Sequence, residues 1–443
     1  MRGMPASPHV PHVETVPARL APHEPLRRLR YTERVWSSLW FVPAVCTFAA
    51  YCVARVVLAI DLEVQVVDEI GWLTGDRVQA ASELAKTVSV AMLTFMGVVF
   101  TTTLVAIQLA GGQYSPRVVR VFVRSRLTQL TLGCFLATFV FSLHATVALN
   151  DREQVPSLTV LVTIGMLVLT LVAFLAFLHG MTRMLRVQYL LTMVTTSGRE
   201  SVAASFPLAV EYAPAPRPAD VAGDVLRTTG HTGVVQAIDR TALVALAARY
   251  DGWIEVLVES GEYLGNGTPV ARLHSTTPHQ VSGDDVAAHF LLGAERTLIH
   301  DPEFVVRQLV DIAIRALSPA VNDPTTAVQS IDRINDLLGD VCRRPDPSGW
   351  YFDSTGVVRL RLREEQAARL MELGYVEIIR FGADSPQVVR RLHAAFDVLA
   401  GLAREDLHPT VERLRTMLDE AVAVGMPSAF REVSATPDRL GLG

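Results

Sequence analysis

Four apolar segments limit what this chain can become: Val35–Ile60, Val88–Ala110, Leu127–Leu149 and Leu158–Met181. Each is long enough to cross a bilayer, for which a helix needs about 20 mostly apolar residues. All four precede residue 185. They account for an apolar content of 50% and a mean hydropathy of +0.30, both high for a water-soluble chain. The expected architecture is therefore a membrane α-helical part of four transmembrane helices, residues 35–185, followed by a soluble α+β part. The flanks set the orientation. Arg27, Arg28, Arg30 and Arg34 precede the first segment, Arg117, Arg120, Arg124 and Arg126 separate the second from the third, and Arg183 and Arg186 follow the fourth. The other two loops are acidic, with Asp61, Glu63, Asp68, Glu69 and Asp76 in one and Asp151 and Glu153 in the other. Positive charge stays on the cytoplasmic side, so both termini are expected there. Trp36, Trp40 and Trp72 suit interfacial anchoring, and Arg55 suits a side chain that snorkels to the surface.

The second segment carries a polar series, Thr87, Thr94, Thr101 and Gln108. Each is seven positions from the last, so all four share one helical stripe that drifts by ~20° per heptad. One reading is a water-lined path in which hydroxyls and an amide stand in for a solute's hydration. The other is a packing face, since membrane helices associate through small and hydrogen-bonding side chains. The third segment has a comparable face in Thr131, Thr138, Ser142 and Ala145, and the expected picture packs the two faces together or lets both line one central space in an oligomer. Pro116–Leu127 reads as a basic amphipathic helix, with Arg117, Arg120 and Arg124 at helical spacing, suited to anionic lipid headgroups or to a small anion at an inner mouth. The apolar runs contain no Asp or Glu, which counts against a proton-coupled carrier.

Outside the membrane part, residues 1–34 are rich in Pro, His and Arg and have no apolar core of a signal peptide; they read as a disordered arm. Residues 186–223 read as a juxtamembrane helix and a linker marked by Pro214, Pro216 and Pro218. Residues 224–280 read as a small β module, with strands expected at Val234-Val235, Ala242–Ala247 and Trp253–Val258. Its stretch Glu259–Val270 resembles the glycine turn of biotinyl/lipoyl-like domains, a flattened β-sandwich. That resemblance would imply a carrier lysine, but Lys86 is the only lysine of the chain, so no swinging-arm cofactor is expected.

Residues 284–430 read as mostly helical, followed by a tail, 431–443. Asp301-Pro302, Asp323-Pro324 and Ser385-Pro386 open helices as N-cap and first-turn pairs. Val357–Leu362 alternates as a strand, and Glu364–Leu373, Pro386–Ala403 and Pro409–Val424 are amphipathic helices. The segment Ala316–Pro324 makes a stiff polar turn. Ser318, Asn322 and Asp323 there read either as a small-ligand or partner site or as helix caps alone.

The stretches Phe100–Arg117 and Asp301–Asp332, together with the four-helix layout, resemble the DUF2254 group of bacterial predicted membrane proteins. The resemblance implies a multi-pass protein of the bacterial cytoplasmic (inner) membrane with a cytosolic C-terminal region; it implies no reaction and no ligand. The residues themselves show no nucleophile elbow, Walker loop, dinucleotide fingerprint or His/Cys cluster, so no enzyme, metal or cofactor is expected. The four cysteines have no disulfide or metal spacing, and a net charge of -5 carries no nucleic-acid footprint. Two functions remain: a homo-oligomeric channel or passive transporter with helix 88–110 along the path, or a membrane-anchored sensor or scaffold whose cytosolic domain binds a partner or small ligand.

Overall fold

The computed structural model describes residues 40–63, 77–113, 126–150, 157–184, 186–206, 223–276, 280–297, 301–364 and 366–434. The N-terminal arm, Arg117, Arg120, Arg124, Trp36, Trp72, the three linker prolines and the end of the tail lie outside them. The chain divides into two compact units, with the boundary between Tyr189 and Leu190.

Among the described residues the membrane unit contains four helices: α1 (Phe41–Glu63), α2 (Arg77–Gln113), α3 (Arg126–Asn150) and α4 (Ser157–Met184). All four are long and apolar enough to span a bilayer. At 1.5 Å per residue, the 37 residues of α2 extend for about 55 Å, well beyond a hydrocarbon core of ~30 Å. Helix α3 is the centre of the unit, and 44% of its span is buried against the other three helices, against 17–22% for theirs. Phe135 and Phe141 are fully buried on it, and Phe135 meets Phe95 of α2 and Phe174 of α4 edge-on or stacked. Small residues bring α2 close to α3: Ala81 and Ala85 pack on Ala145.

The C-terminal unit, the part read from the sequence as soluble, is entered at Leu190 within α5 (Val187–Ser205) and continues as two layers. Among the described residues eight strands form two sheets: β1 (Asp224–Arg227), β2 (Gly233–Ile238), β3 (Trp253–Val256), β4 (Tyr263–Leu264), β5 (Pro269–His274), β6 (Phe290–Gly293), β7 (Trp350–Phe352) and β8 (Val358–Arg361). One sheet has the order β1-β5-β3-β8-β7 and the other β4-β2-β6. All pairs are antiparallel except β3 with β8, where Ile254 lies opposite Leu360. A parallel partner needs a long crossover, and here the chain between Val256 and Val358, helices and further strands included, supplies it. The inward residues Val235, Ile254, Leu264, Leu273, Leu292 and Leu360 meet in one core, so the two sheets form one sandwich. The sandwich therefore draws on strands 290–293 and 350–361 as well as on the stretch 224–280.

Two short helices close this core, α6 (Arg240–Arg249) and α7 (Gly283–Ala287). The strand expected at Ala242–Ala247 is thus a helix. Asp239 caps it by accepting from Ala242 N at 3.0 Å, and an alanine- and leucine-rich run behind such a cap prefers the helix. The helical layer comprises α8 (Pro302–Ala316), α9 (Pro324–Cys342), α10 (Ala367–Gly382), α11 (Pro386–Leu402), α12 (His408–Gly425) and α13 (Ser428–Ser434). Asp301 and Asp323 cap α8 and α9 as their sequence predicts, whereas the Ser385 side chain makes no cap bond to α11.

Candidate functional site

The polar stripe of α2 lies on the outside of the membrane unit. Thr87, Thr94, Thr101 and Gln108 are all exposed. From Thr87 to Gln108 is 21 residues, about 32 Å along a helix, so the series is as long as a bilayer's apolar core of ~30 Å is thick, with one polar group every ~10 Å. Thr87 and Thr94 donate their hydroxyls to Glu83 O and Val90 O at 2.7 and 3.0 Å. Their donors are satisfied inside the helix, and their oxygen lone pairs remain as acceptors on its surface. Between them on the same face stand Val90, Gly97 and Leu104, so that 87, 90, 94, 97, 101, 104 and 108 follow the 3-4 spacing of a heptad seam. A Cβ added at Gly97 would have nothing within 4 Å. This seam has no partner within the chain among the described residues.

The comparable face of α3 has a different fate. Thr138 shares a 2.7 Å hydrogen bond with Thr170 of α4, and Thr131 donates to Ala173 O at 3.4 Å. Thr131, Thr138 and Ser142 are buried. The expected pairing of this face with the α2 stripe, or its place beside that stripe in one central space, is therefore corrected: the Thr131 and Thr138 hydroxyls are bonded to α4, and Ser142 is buried within the unit. Ala145 alone turns toward α2. In a membrane, hydroxyls bonding across helices are ordinary packing devices, and this seam uses them so.

Asp61, read in the sequence as part of an acidic loop, has a definite task. Its carboxylate accepts from Leu158 N at 3.2 Å, Thr159 N at 2.9 Å and the Thr159 hydroxyl at 2.6 Å. It thereby caps the N-terminus of α4 from the end of α1, supplying negative charge where free N–H groups and the helix dipole favour it. No local pattern could have revealed this, because the partner lies almost one hundred residues away.

In the soluble unit, the turn after α8 brings Ser318, Asn322 and Asp323 together and commits most of their polar atoms to structure. Ser318 donates its hydroxyl to Arg315 O at 2.7 Å. Asp323 accepts from Thr326 N at 3.1 Å and from the Thr326 hydroxyl at 2.6 Å. Asn322 holds the left-handed conformation at φ 47°, where Asn is better tolerated than most residues. Pro319, Ala320, Val321 and Asn322 form the exposed apex. A separate cleft of about 450 Å³ opens between α9 and α11, lined by Asn335, Arg391, Ala394, Ala395, Asp397 and Val398. The buried Tyr375 donates to Asn335 Oδ1 at 3.2 Å, which turns the Asn335 amide nitrogen away from it. Nothing in the sequence marked this cleft, since Asn335 sits in an unremarkable amphipathic helix.

Two further carboxylates are held by donors. Asp284 accepts from the Thr228 hydroxyl at 2.7 Å and from the backbone of Thr229 and Gly230 at 2.9 and 3.0 Å. The Thr229 and Thr228 hydroxyls and these backbone groups keep it far below the usual carboxylate range. Burial raises Asp353, but hydrogen bonds from Thr355 and Arg359 outweigh this and hold it low. Both are clasps for turns. Among the described residues no group of three or more His, Cys, Asp or Glu has the arrangement of a metal site.

A family model described as "Predicted membrane protein (DUF2254)" matches residues 36–397. The chain is 28% identical over 369 residues to the uncharacterized protein Rv1290c of Mycobacterium tuberculosis and, equally, to the uncharacterized protein Mb1321c of Mycobacterium bovis, covering 80% of this chain and 68% of each relative. No solved structure matches the chain.

Proposed function

Since the chain belongs to the DUF2254 family of predicted membrane proteins, we propose that it is a homo-oligomeric channel or passive transporter of the bacterial cytoplasmic membrane, with both termini in the cytoplasm and α2 lining the path. The observation that carries this reading is the exposure of Thr87, Thr94, Thr101 and Gln108 together over a bilayer's thickness. A lipid-facing helix has no use for four polar groups in heptad register, and within the protomer nothing covers them among the described residues. Copies of α2 arranged about an axis would turn the stripe to a wet centre, where acceptor oxygens replace hydration. The solute would be small, and Arg117, Arg120 and Arg124, which follow α2 in sequence, would concentrate anions or anionic headgroups at the cytoplasmic end. The soluble unit would regulate the path; no chemical step is assigned to it. The test is reconstitution in liposomes. Flux of small ions should exceed that of empty liposomes and should fall when Thr94→Leu and Thr101→Leu are combined. Absence of flux across the tested voltage, tension and pH overturns the reading.

A second reading, a membrane-anchored sensor or scaffold, gains support from the α9–α11 cleft rather than from the 318–323 turn, whose polar atoms serve as caps. It expects a monomer in mild detergent and a specific ligand for the soluble unit.

A further inference from the structure

Two opposite charges of the membrane unit stand on separate helices and close to one level. Helices α1 and α2 pack on α3 rather than on each other. Arg55 is the only charged residue of α1 before Asp61. It is exposed, and among the described residues it has no hydrogen-bond or ion-pair partner. An arginine inside an apolar span is costly and calls for a partner. Glu83 is exposed on α2. Lys86 donates to its Oε1 at 3.2 Å, which leaves Oε2 open among the described residues.

Contacts on α3 set the depths. A Cβ added at Gly133 would meet Cys46 Sγ at 2.9 Å, and Ala54 and Val57 share a cluster with Phe141. Arg55 is therefore level with Phe141. On the other side Ala81 and Ala85 share a cluster with Ala145, and Phe95 stacks on Phe135 at 6.1 Å. The level of Phe141 accordingly falls near Thr87 of α2. Glu83 is about one turn, roughly 6 Å, nearer the end of the unit that carries Asp61. The Arg55 stem carries its guanidinium in that same direction, out of the apolar span. Each charge also belongs to an uncovered seam. Val45, Phe48, Cys52, Arg55 and Ala59 are exposed on α1 at alternating spacings of three and four. Glu83 stands seven positions before Val90, at the end of the α2 seam.

We propose that α1 of one copy docks beside α2 of the next, joined by an ion pair between Arg55 and Glu83. Copies in one membrane share an orientation, so the two helices run antiparallel there and bring these charges to one depth. Different patches meet, so the contact is head-to-tail and closes into a ring when the rotation allows. It holds the Asp61 end of α2 and leaves the rest of the polar stripe to the axis. This inference rests on the reading of the protein as a homo-oligomer and names the surface by which copies join.

Cross-linking of the full chain in its membrane tests it without any measure of conduction. Cys46, Cys52 and Cys134 are replaced by alanine. Two differently tagged chains, one with Arg55→Cys and one with Glu83→Cys, are co-expressed and treated with a short bis-maleimide. Dimers carrying both tags should form at least about tenfold faster than with Leu161→Cys, exposed on α4, in place of Glu83→Cys, as proximity requires. Independently, Arg55→Glu and Glu83→Arg should each lower the oligomeric fraction in mild detergent at least about fivefold, and the two together should restore it. Absence of mixed dimers overturns the inference. So does failure of the double exchange to restore the oligomer, which would leave a phospholipid phosphate as the partner of Arg55. Mixed dimers without solute flux sink the conduit reading and leave this interface standing; flux without mixed dimers does the reverse.

Discussion

Replacing Asp301 by alanine should lower the thermal stability of the soluble unit by several degrees, for reasons that can be counted. Asp301 is 3% exposed. Its two oxygens accept from Arg296 Nε and Nη2, both at 2.8 Å, and one oxygen also accepts from Phe304 N at 2.8 Å, capping α8. Arg296 Nη2 reaches Glu303 at 2.9 Å, Glu303 meets Arg369 of α10 at 3.0 Å, and Arg369 meets Glu259 in the turn after β3 at 2.8 Å. The chain of charges ties the sandwich to α8 and α10. Loss of the cap costs about 1 kcal/mol. Breaking a buried pair costs ~3–5 kcal/mol, but the Arg296 side chain is 26% exposed and keeps Glu303, so about 2 kcal/mol is the appropriate share. The sum, about 3 kcal/mol, corresponds to a fall in Tm of roughly 6–12 °C for a unit of this size. Differential scanning fluorimetry of the full chain, followed through Trp253 and Trp350, reads it. Arg296→Met with Asp301→Ala should be less damaging than the sum of the single changes, because no buried charge is then left behind. A shift under about 1 °C for Asp301→Ala, or strict additivity in the cycle, would refute the account of this network.

Asp61→Ala should loosen the N-terminal end of α4 by about 1–2 kcal/mol, seen as faster exchange of the Leu158 and Thr159 amides; Asp61→Asn should cost less. Asp284→Asn should lower Tm at neutral pH and lower it progressively less below about pH 4. A carboxylate whose folded pKa is depressed contributes above its unfolded value of ~3.9 and loses that contribution as pH falls below it, so a wild-type-minus-variant difference that stays constant from pH 7 to 3 would contradict the clasp. Asn322→Ala should cost about 1 kcal/mol because φ is positive there, whereas Asn322→Gly should be close to neutral in chemical denaturation.

Local chemistry was the legible part of this chain. Asp301-Pro302 and Asp323-Pro324 announce α8 and α9 because cap and first turn are neighbours in sequence, and the four spans follow from apolar length alone. What a polar face meets was not legible. The stripes of α2 and α3 look alike as strings, yet one is outside the unit and the other is bonded to α4, a difference set by which helix sits at the centre. Ala242–Ala247 is too short for its period to separate strand from helix, and the cap at Asp239 was the overlooked signal. The union of β3 with β8, the Asp61 cap and the Asn335 cleft depend on residues far apart in the chain, which spacing rules cannot join.

The water exposure of the α2 stripe is the claim on which the conduit stands, and cysteine accessibility in proteoliposomes measures it. Cys46, Cys52 and Cys134 are replaced by alanine; Cys342 is buried, its thiol pushed up to about 12 chiefly by burial, and can stay. Thr87→Cys, Thr94→Cys, Thr101→Cys and Gln108→Cys are then compared with Leu93→Cys and Phe100→Cys, which are exposed on another side of the same helix. A charged, water-soluble thiol reagent needs a hydrated thiolate, so the stripe positions should react on the order of tenfold faster than the controls. Equal, slow reaction at all six positions would show the stripe to be dry and would contradict the account.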